Sequence, residues 1–334
     1  MNPRLVVALG AGGLAAAVAV VFGVMKQMGV KSYGHPAGPV VRAGPHLGVL
    51  IETRDPFFPS LKGRDERDMS YSYALWLIPE SGDGDVRTFR LDRGIASGSR
   101  VHNPGVKQYD NGILWLTTKD LQGVDVASGK RTTQPAPASL VNAPISRFMG
   151  EGEFPLEQFR AQSVMLPSGD RLYLVNDEEV KASLKPGTRL YNDAANAVGT
   201  YKPRTLHVVT AAPGVIPTIG SAARLGDLEF RNGAFMRSAK GGSVVRFSDP
   251  DGFLIVHDQG DPVHPSIHLS RLNADGSVAW TADTKIGRLN QVLPHERLPA
   301  FVGEPPQELT EPMLAVVDLK DGTARTKSLK GPLN

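Results

Sequence analysis

The chain has 334 residues, with 37 Lys and Arg against 34 Asp and Glu and no Cys. This length accommodates one large domain or two ordinary ones and excludes a mini-protein. The formal net charge of +3 and the 21% of charged residues do not suit a surface that coats nucleic acid, so we predict no nucleic-acid partner. Without cysteine, the chain has no disulfide, no thiolate metal ligand and no cysteine nucleophile.

A long apolar stretch follows the short N-terminal tail, residues 1–4. Residues 5–25 (Leu5 to Met25) carry no charge and are flanked by Arg4 and Lys26. As a helix this stretch is about 30 Å long, which matches the hydrocarbon core of a bilayer. It is longer than the apolar region of a typical cleavable signal peptide. We therefore predict a transmembrane helix that serves as an uncleaved signal-anchor, with the lipid bilayer as its partner.

The charges on the two flanks nearly balance, so the positive-inside rule barely favours either orientation. A short N-terminal tail ahead of a single span usually stays inside. We therefore expect a single-pass protein of the cytoplasmic (inner) membrane whose domain is periplasmic or otherwise extracytoplasmic.

Glycines 10, 12 and 13 imitate a dinucleotide fingerprint, but the acidic residue that this motif needs is missing, because the first Asp or Glu of the chain is Glu52.

Residues 26–46 are predicted to be a linker. Between Gly34 and Pro45 the sequence GHPAGPVVRAGP has glycine or proline at about half of its positions, which suits an extended spacer and neither a helix nor a strand. The folded domain is accordingly predicted to span residues 47–330.

Short runs of β-branched, aromatic and leucine residues recur in this domain between Gly, Pro, Asn and Asp, and they predict strands. The two stretches that suit a helix, from residues 154 and 177, are short. The domain is therefore predicted to be all-β. The predicted strands are LGVLIET from residue 47, YALWLI from 73, GILWLTT from 112, RLYLVN from 171, TLHVVT from 205, GFLIVHD from 252, IHLSRL from 267 and MLAVVDL from 313.

A turn motif recurs among these strands: Leu, an apolar residue three positions later, a turn, and Gly with positive φ. The five glycines are separated by 47, 85, 62 and 46 residues, and the shortest interval matches a propeller blade of about 40 to 50 residues. A ring of small sheets buries the apolar faces that each sheet alone leaves exposed. We predict a β-propeller of five to seven blades; an open β-sandwich is the alternative. The glycines are Gly82, Gly129, Gly214, Gly276 and Gly322.

Residues 268–284 (HLSRLNADGSVAWTADT) contain a well-formed copy, with Asn273, Gly276 and Trp280 in strand, turn and tryptophan order. This segment resembles the repeat of quinoprotein-like (PQQ-repeat-like) β-propellers, and the chain is similar to N-terminally membrane-anchored bacterial proteins of that type. Two other copies depart from the pattern, because Thr133 and Thr326 stand at the Trp position. The resemblance implies the fold and little about activity.

The densest polar cluster is HDQGDPVHPSIH, residues 257–268. Imidazole and carboxylate groups suit zinc, manganese or iron, although this spacing matches no known metal signature. The prolines of this segment indicate a turn between two strands, so a solvated loop is the alternative. No other cofactor is indicated. The candidate metal ligands are His257, Asp261, His264 and His268.

Other motifs are incomplete. His295-Glu296 begins like a zincin helix, but Pro299 stands where the second His should be. The acidic loop 80–85 lacks the spacing of an EF-hand, which favours a plain hairpin turn. No G-x-S-x-G nucleophile elbow is present. The sequence therefore identifies no catalytic residue.

These observations favour a binding or scaffolding module for an envelope protein or a small ligand, with recognition carried by loops between strands. The alternative is an enzyme with a site in a central channel, either a metal-assisted hydrolase or a quinone-type oxidoreductase.

Overall fold

The fold is taken from a computed structural model, which describes residues 33–54, 70–96, 99, 103–141, 160–166, 168–176, 178, 180–181, 203–210, 222–237, 245–248, 251–307 and 311–332. Its elements in chain order are β1 (Tyr33–Pro36), β2 (Val41–Ala43), β3 (His46–Arg54), β4 (Ser70–Pro79), β5 (Arg87–Ala96), β6 (Gly105–Asp110), β7 (Ile113–Thr117), β8 (Leu121–Asp125), α1 (Ala138–Val141), β9 (Arg160–Ala161), β10 (Ser163–Met165), β11 (Arg171–Val175), β12 (Pro203–Val209), β13 (Ala223–Met236), β14 (Arg246–Ser248), β15 (Asp251–Gln259), β16 (Ser266–Asn273), β17 (Val278–Asp283), β18 (Arg288–Leu293), β19 (Ala300–Glu304), β20 (Met313–Val317), β21 (Ala324–Ser328) and β22 (Gly331–Pro332).

The strands form four antiparallel sheets. The six-stranded sheet has the order β22-β1-β3-β4-β5, with β2 paired to β3, and the three-stranded sheet has the order β6-β7-β8. The nine-stranded sheet has the order β10-β11-β12-β13-β15-β16-β17, with β14 paired to β15 and β9 to β13. The four-stranded sheet has the order β18-β19-β20-β21.

The all-β prediction is confirmed at the level of individual strands. All eight predicted strands are present, as β3, β4, β7, β11, β12, β15, β16 and β20. They are the inner strands of their sheets, and β4 is buried at eight consecutive residues, from Tyr71 to Ile78. A strand that is covered on both faces carries a continuous apolar run, which is why the sequence signal was strong.

The predicted β-propeller is wrong. The described strands form four separate open sheets of six, nine, four and three strands, and none of these sheets closes on itself. The physical cause lies in β13, which is 14 residues long and pairs with β12 along its first part and with β15 along its second. Two groups of strands that the repeat assigned to separate blades are thereby joined in one sheet.

The predicted linker also contains strands. Tyr33–Pro36 and Val41–Ala43 form β1 and β2, which pair with opposite ends of β3. Gly38 and Gly44 have φ angles of 76° and 61°, so they turn the chain between these strands in a conformation that glycine adopts without strain. The glycines and prolines at these positions thus punctuate short strands of the six-stranded sheet.

Three apolar clusters pack the sheets against one another. The first joins the six-stranded and three-stranded sheets, with Leu75 and Leu114 among its buried members. The second joins the six-stranded and four-stranded sheets, for example through Trp76 and Leu314. The third joins the four-stranded and nine-stranded sheets, where Phe301 is one of the residues in contact with the β15 and β16 core. Each interface is formed by one face of each sheet.

The predicted turn glycines are confirmed where the structure describes them. Gly82, Gly129, Gly276 and Gly322 have φ angles of 77°, 69°, 85° and 77°; Gly214 lies outside the described residues. Two of these turns are packed against a ring from a neighbouring sheet. An added Cβ at Gly322 would lie 2.6 Å from the Trp280 ring, and one at Gly129 would overlap the Phe89 ring. These glycines therefore allow both the turn and the close approach of the next sheet.

The membrane prediction is corrected as well. Residues 5–25 lie outside the described residues, and within the described part no helix has the length and apolar character needed to cross a bilayer. The helix α1 has four residues. The predicted single-pass anchor, and the inner-membrane location with an extracytoplasmic domain that depended on it, therefore have no counterpart among the described residues.

Candidate functional site

The segment that the sequence selected is a β-hairpin at one end of the nine-stranded sheet. Strands β15 and β16 place His257 directly opposite His268, and β16 and β17 place His268 opposite Asp283. Residues directly opposite each other on paired strands point to the same face of the sheet. Two of the four predicted ligands therefore lie side by side, with a carboxylate on the next strand.

His257 is buried and held by hydroxyl groups. Its side chain lies in the interior (6% exposed), with the Phe230 ring packed edge-on at a centroid distance of 5.2 Å. The imidazole Nε2 is 2.8 Å from Ser270 Oγ, and Ser270 Oγ is 2.8 Å from Thr281 Oγ1. Burial lowers the pKa of His257 to about 4; a backbone hydrogen bond at Asp258 opposes this shift in part, and the neighbouring His268 adds a smaller contribution that lowers the pKa. His257 is therefore neutral at physiological pH.

His268 lies between this buried pair and the surface. Its Nδ1 donates to the carbonyl of Ser266 at 3.1 Å, and its Nε2 is 3.8 Å from Asp283 Oδ2. Burial raises the pKa of Asp283, but hydrogen bonds from Lys285 and the charge of His268 outweigh it, so this pKa lies below its usual value. The row formed by His257, His268 and Asp283 across three strands thus ends in a carboxylate that is ionised and paired with Lys285.

The loop between β15 and β16 lies in solvent. His264 Nδ1 is 3.6 Å from Asp261 Oδ2, and both side chains are about half exposed (48% and 51%). The Asp261 carboxylate also accepts a hydrogen bond from the Val263 amide at 2.9 Å, which forms an Asx turn. This turn presents Val263, whose side chain is 76% exposed.

The four predicted ligands therefore separate into two pairs. His257 and His268 lie on the sheet, whereas Asp261 and His264 lie on the loop above it. In the described parts of the chain, no three His, Asp or Glu side chains are grouped so that they could hold a metal ion. The four predicted ligands are thus divided between the two strands of the hairpin and its loop, and this arrangement supports no metal chemistry.

Ser270 and His257 are as close together as a nucleophile and its general base, but a substrate could not reach them. Ser270 is 1% exposed, and its Oγ is engaged by both His257 and Thr281. A base with a pKa of about 4 is also a weak one at neutral pH. The arrangement fits a hydrogen-bonded support beneath the loop better than an acyl-transfer site.

A second polar cluster, around Arg42, was not predicted from the sequence. Arg42 on β2 pairs with Glu80, which follows β4, and the same guanidinium donates to the carbonyls of Leu293 and Leu298 at 3.2 Å and 2.7 Å. Burial lowers the pKa of Arg42 to about 10, and the group remains charged. Arg42 is more than 250 residues away from these carbonyls, so no local pattern in the sequence could have indicated the contact.

Comparison with known proteins gives no assignment: no family model matches the chain, and no curated protein matches it significantly. The resemblance of residues 268–284 to quinoprotein-like repeats stays a prediction.

Proposed function

We propose that this chain is a binding module that recognises a protein partner through the β15–β16 loop, residues 260–265. The observation that carries the proposal is Val263, which is 76% exposed at the tip of a conformationally restricted loop. An aliphatic side chain at a protruding position can anchor a protein interface by entering a pocket of the partner. A partner that buries Val263 removes an apolar side chain from water.

Several features restrict this loop. Gly260 has a φ of 92°, Pro262 and Pro265 fix two φ angles, and the Asp261 carboxylate accepts the amide of Val263. The two prolines and the Asx turn each reduce the conformational entropy that binding would otherwise remove, whereas Gly260 supplies the positive φ that the turn needs. The loop is therefore organised before the partner arrives.

The sheet below gives the loop a rigid base. The hairpin is paired over eight residue pairs, from Gly252 opposite Asn273 to Gln259 opposite Ser266. The buried hydrogen bonds of His257, Ser270 and Thr281 tie β15, β16 and β17 together immediately under the loop. Recognition loops held by such a scaffold are a common source of specificity.

The enzyme alternative has less support. It presupposed the central channel of a propeller, and none of the four described sheets closes on itself. The pair of side chains that comes nearest to a catalytic arrangement, Ser270 and His257, is buried and closed to solvent.

The test is site-specific photo-crosslinking in cells that produce the protein. A photoreactive residue replaces Val263 in one variant and Val278, which lies on β17 and is 38% exposed, in the matched control. We expect a discrete adduct with one partner from position 263 that is missing from position 278. Binding of that partner is then measured with purified protein. Val263→Asp should weaken binding at least about tenfold, whereas Val278→Asp should leave it unchanged. Equal adducts from both positions, or none from 263, would contradict the proposal.

A further inference from the structure

Arg42 of the six-stranded sheet bonds to both ends of the loop that joins β18 and β19. Arg42 Nη2 donates to the carbonyl of Leu298 at 2.7 Å and to that of Leu293 at 3.2 Å. These two carbonyls lie at opposite ends of the loop, residues 293–298, so a single guanidinium closes it. Glu80 pairs with the other nitrogen of the guanidinium, which fixes the direction in which Arg42 points.

His295 supports the same loop from inside. Its Nδ1 accepts hydrogen bonds from the backbone amides of Arg297 at 3.2 Å and Leu298 at 2.9 Å. A ring nitrogen that accepts carries no proton, so the imidazole is neutral and its proton is on Nε2. Nε2 is 3.7 Å from Glu80 Oε1. The loop geometry therefore requires the uncharged form of His295.

We propose that His295 is a pH-operated latch: a proton on Nδ1 releases loop 293–298 from the six-stranded sheet under mildly acidic conditions. The proton turns Nδ1 from an acceptor into a donor that faces two N–H groups, and both hydrogen bonds are lost. When the Leu298 amide moves away, its carbonyl leaves Arg42, because both belong to the same turn of backbone. Leu298 stays packed on the apolar cluster between the six-stranded and four-stranded sheets, and the Arg297 carbonyl keeps its hydrogen bond from the Leu319 amide at 2.9 Å. The opening is therefore confined to the hydrogen bonds of the Arg297 and Leu298 amides and of Arg42.

The charged groups around His295 set the direction of the response. Arg42 and Glu80 face it from the six-stranded sheet, and Glu296 is its neighbour in the loop. Arg297 points away and pairs with Asp318 at 3.2 Å, beyond the end of β20. Burial and then the charge of Arg42 lower the pKa of His295, and Glu296 opposes them only in part. The loop is therefore closed at neutral pH and opens as the pH falls below the ordinary histidine range, about 6.5.

The test is hydrogen exchange of the intact protein at about pH 7.5 and pH 5, corrected for the intrinsic pH dependence of exchange. Protection of the Arg297 and Leu298 amides should fall about tenfold or more at the lower pH, the consequence of losing two hydrogen bonds. Peptides from β20 should keep their protection, which separates local opening from global unfolding.

The decisive variant is His295→Asn. The Asn side-chain oxygen takes the place of Nδ1, accepts the same two amides and cannot be protonated in this range. We expect it to keep loop 293–298 protected at both pH values, whereas His264→Asn, on the exposed β15–β16 loop, should respond to pH like the wild type. Unchanged protection of the wild-type loop at pH 5 overturns the proposal even if the variant fails to fold, and so does a full pH response in His295→Asn.

Discussion

His257 and His264 belong to the same polar cluster of the sequence, yet their surroundings give them different properties. His257 is 6% exposed and bonded to a hydroxyl group, whereas His264 lies on a loop with half of its side chain in solvent. Burial stabilises the neutral form because a charge loses its hydration in the interior. Of these two histidines, His257 is therefore the one whose protonation opposes the folded state.

Acid should destabilise the folded protein through His257. Its pKa is lowered from 6.5 to about 4 in the folded state, so the unfolded chain binds more protons between these values. The stabilisation is fully present above about pH 6.5 and is lost as the pH falls towards 4; at 1.36 kcal/mol per unit it amounts to roughly 3 kcal/mol. Urea unfolding of wild type and His257→Gln, measured across this range, should show a weaker pH dependence in the variant.

His264→Gln is the control for this comparison, because it removes an imidazole from solvent and should leave the pH dependence of unfolding as in the wild type. A pH dependence in His257→Gln as steep as that of the wild type would refute the assignment.

At the scale of elements, tight turns and side-chain bridges hold neighbouring sheets together. The turn at Gly322, which precedes β21, lies against the Trp280 ring of β17. The Gln291 side chain acts in another way: its Oε1 accepts from the Val40 amide at 2.9 Å, and its Nε2 donates to the Val40 carbonyl at 2.8 Å. One side chain thereby satisfies both backbone groups of a residue in a different sheet.

Gly322→Ala should destabilise the protein more than Gly226→Ala. Both glycines have positive φ, 77° and 69°, so both substitutions carry the backbone cost of about 1 kcal/mol. At position 226 nothing lies within 4 Å of an added Cβ, whereas at 322 that atom would lie 2.6 Å from the Trp280 ring. The difference between their free energies of unfolding, measured in urea, isolates the contact between sheets, and equal values would show that the ring moves freely.

Gln291→Leu should lower the free energy of unfolding by about 2 kcal/mol or more, because it leaves the N–H and C=O of Val40 buried without their partner. Gln291 itself is 5% exposed. The adjacent Asn290 is exposed, and Asn290→Ala should change the stability by less than about 0.5 kcal/mol. Chemical denaturation of both variants checks the prediction. If both variants lose a similar amount of unfolding free energy, the hydrogen bonds between Gln291 and Val40 have no special role.

The sequence predicted eight inner strands; it missed the polar edge strands and three inner strands, β1, β13 and β19. β4 has a continuous apolar run because both of its faces are covered, whereas β5, RTFRLDRGIA, and β21, ARTKS, are polar strands at sheet edges. Such strands are determined by the backbone of the strand beside them. The same limit applies to the site: the sequence located the β15–β16 hairpin, but which of its histidines is buried depends on Phe230, which lies on β13, and on the strand register that places Ser270 beside His257.

At the scale of the whole molecule, the sheets stabilise one another across long sequence separations. Leu314 on β20 is 1% exposed and packs in the cluster shared by the four-stranded and six-stranded sheets. Leu174 on β11 is equally buried, but its cluster belongs to the nine-stranded sheet. The two leucines therefore report on different parts of the core.

Leu314→Ala should cost about 2 to 5 kcal/mol and should accelerate hydrogen exchange in β4 as well as in β20, since both strands line the same cluster. Leu174→Ala, the same truncation elsewhere, should primarily affect β11 and β12. Exchange measured by mass spectrometry on both variants distinguishes the patterns. If β4 stays protected in Leu314→Ala, the six-stranded sheet is stable by itself and the shared cluster is not a cooperative unit.

The pairing of β1 with β22 has a consequence for how the protein is made. Tyr33 lies opposite Pro332, and Gly34 opposite Gly331, so β1, which pairs with the nearby β3 on one side, receives its second neighbour only after the ribosome has translated all the strands between them. Until then the nascent polypeptide carries an open strand edge, the kind of edge to which other chains adhere. The outer edge of the six-stranded sheet is therefore completed late in folding, and a product truncated before β22 would keep that edge open.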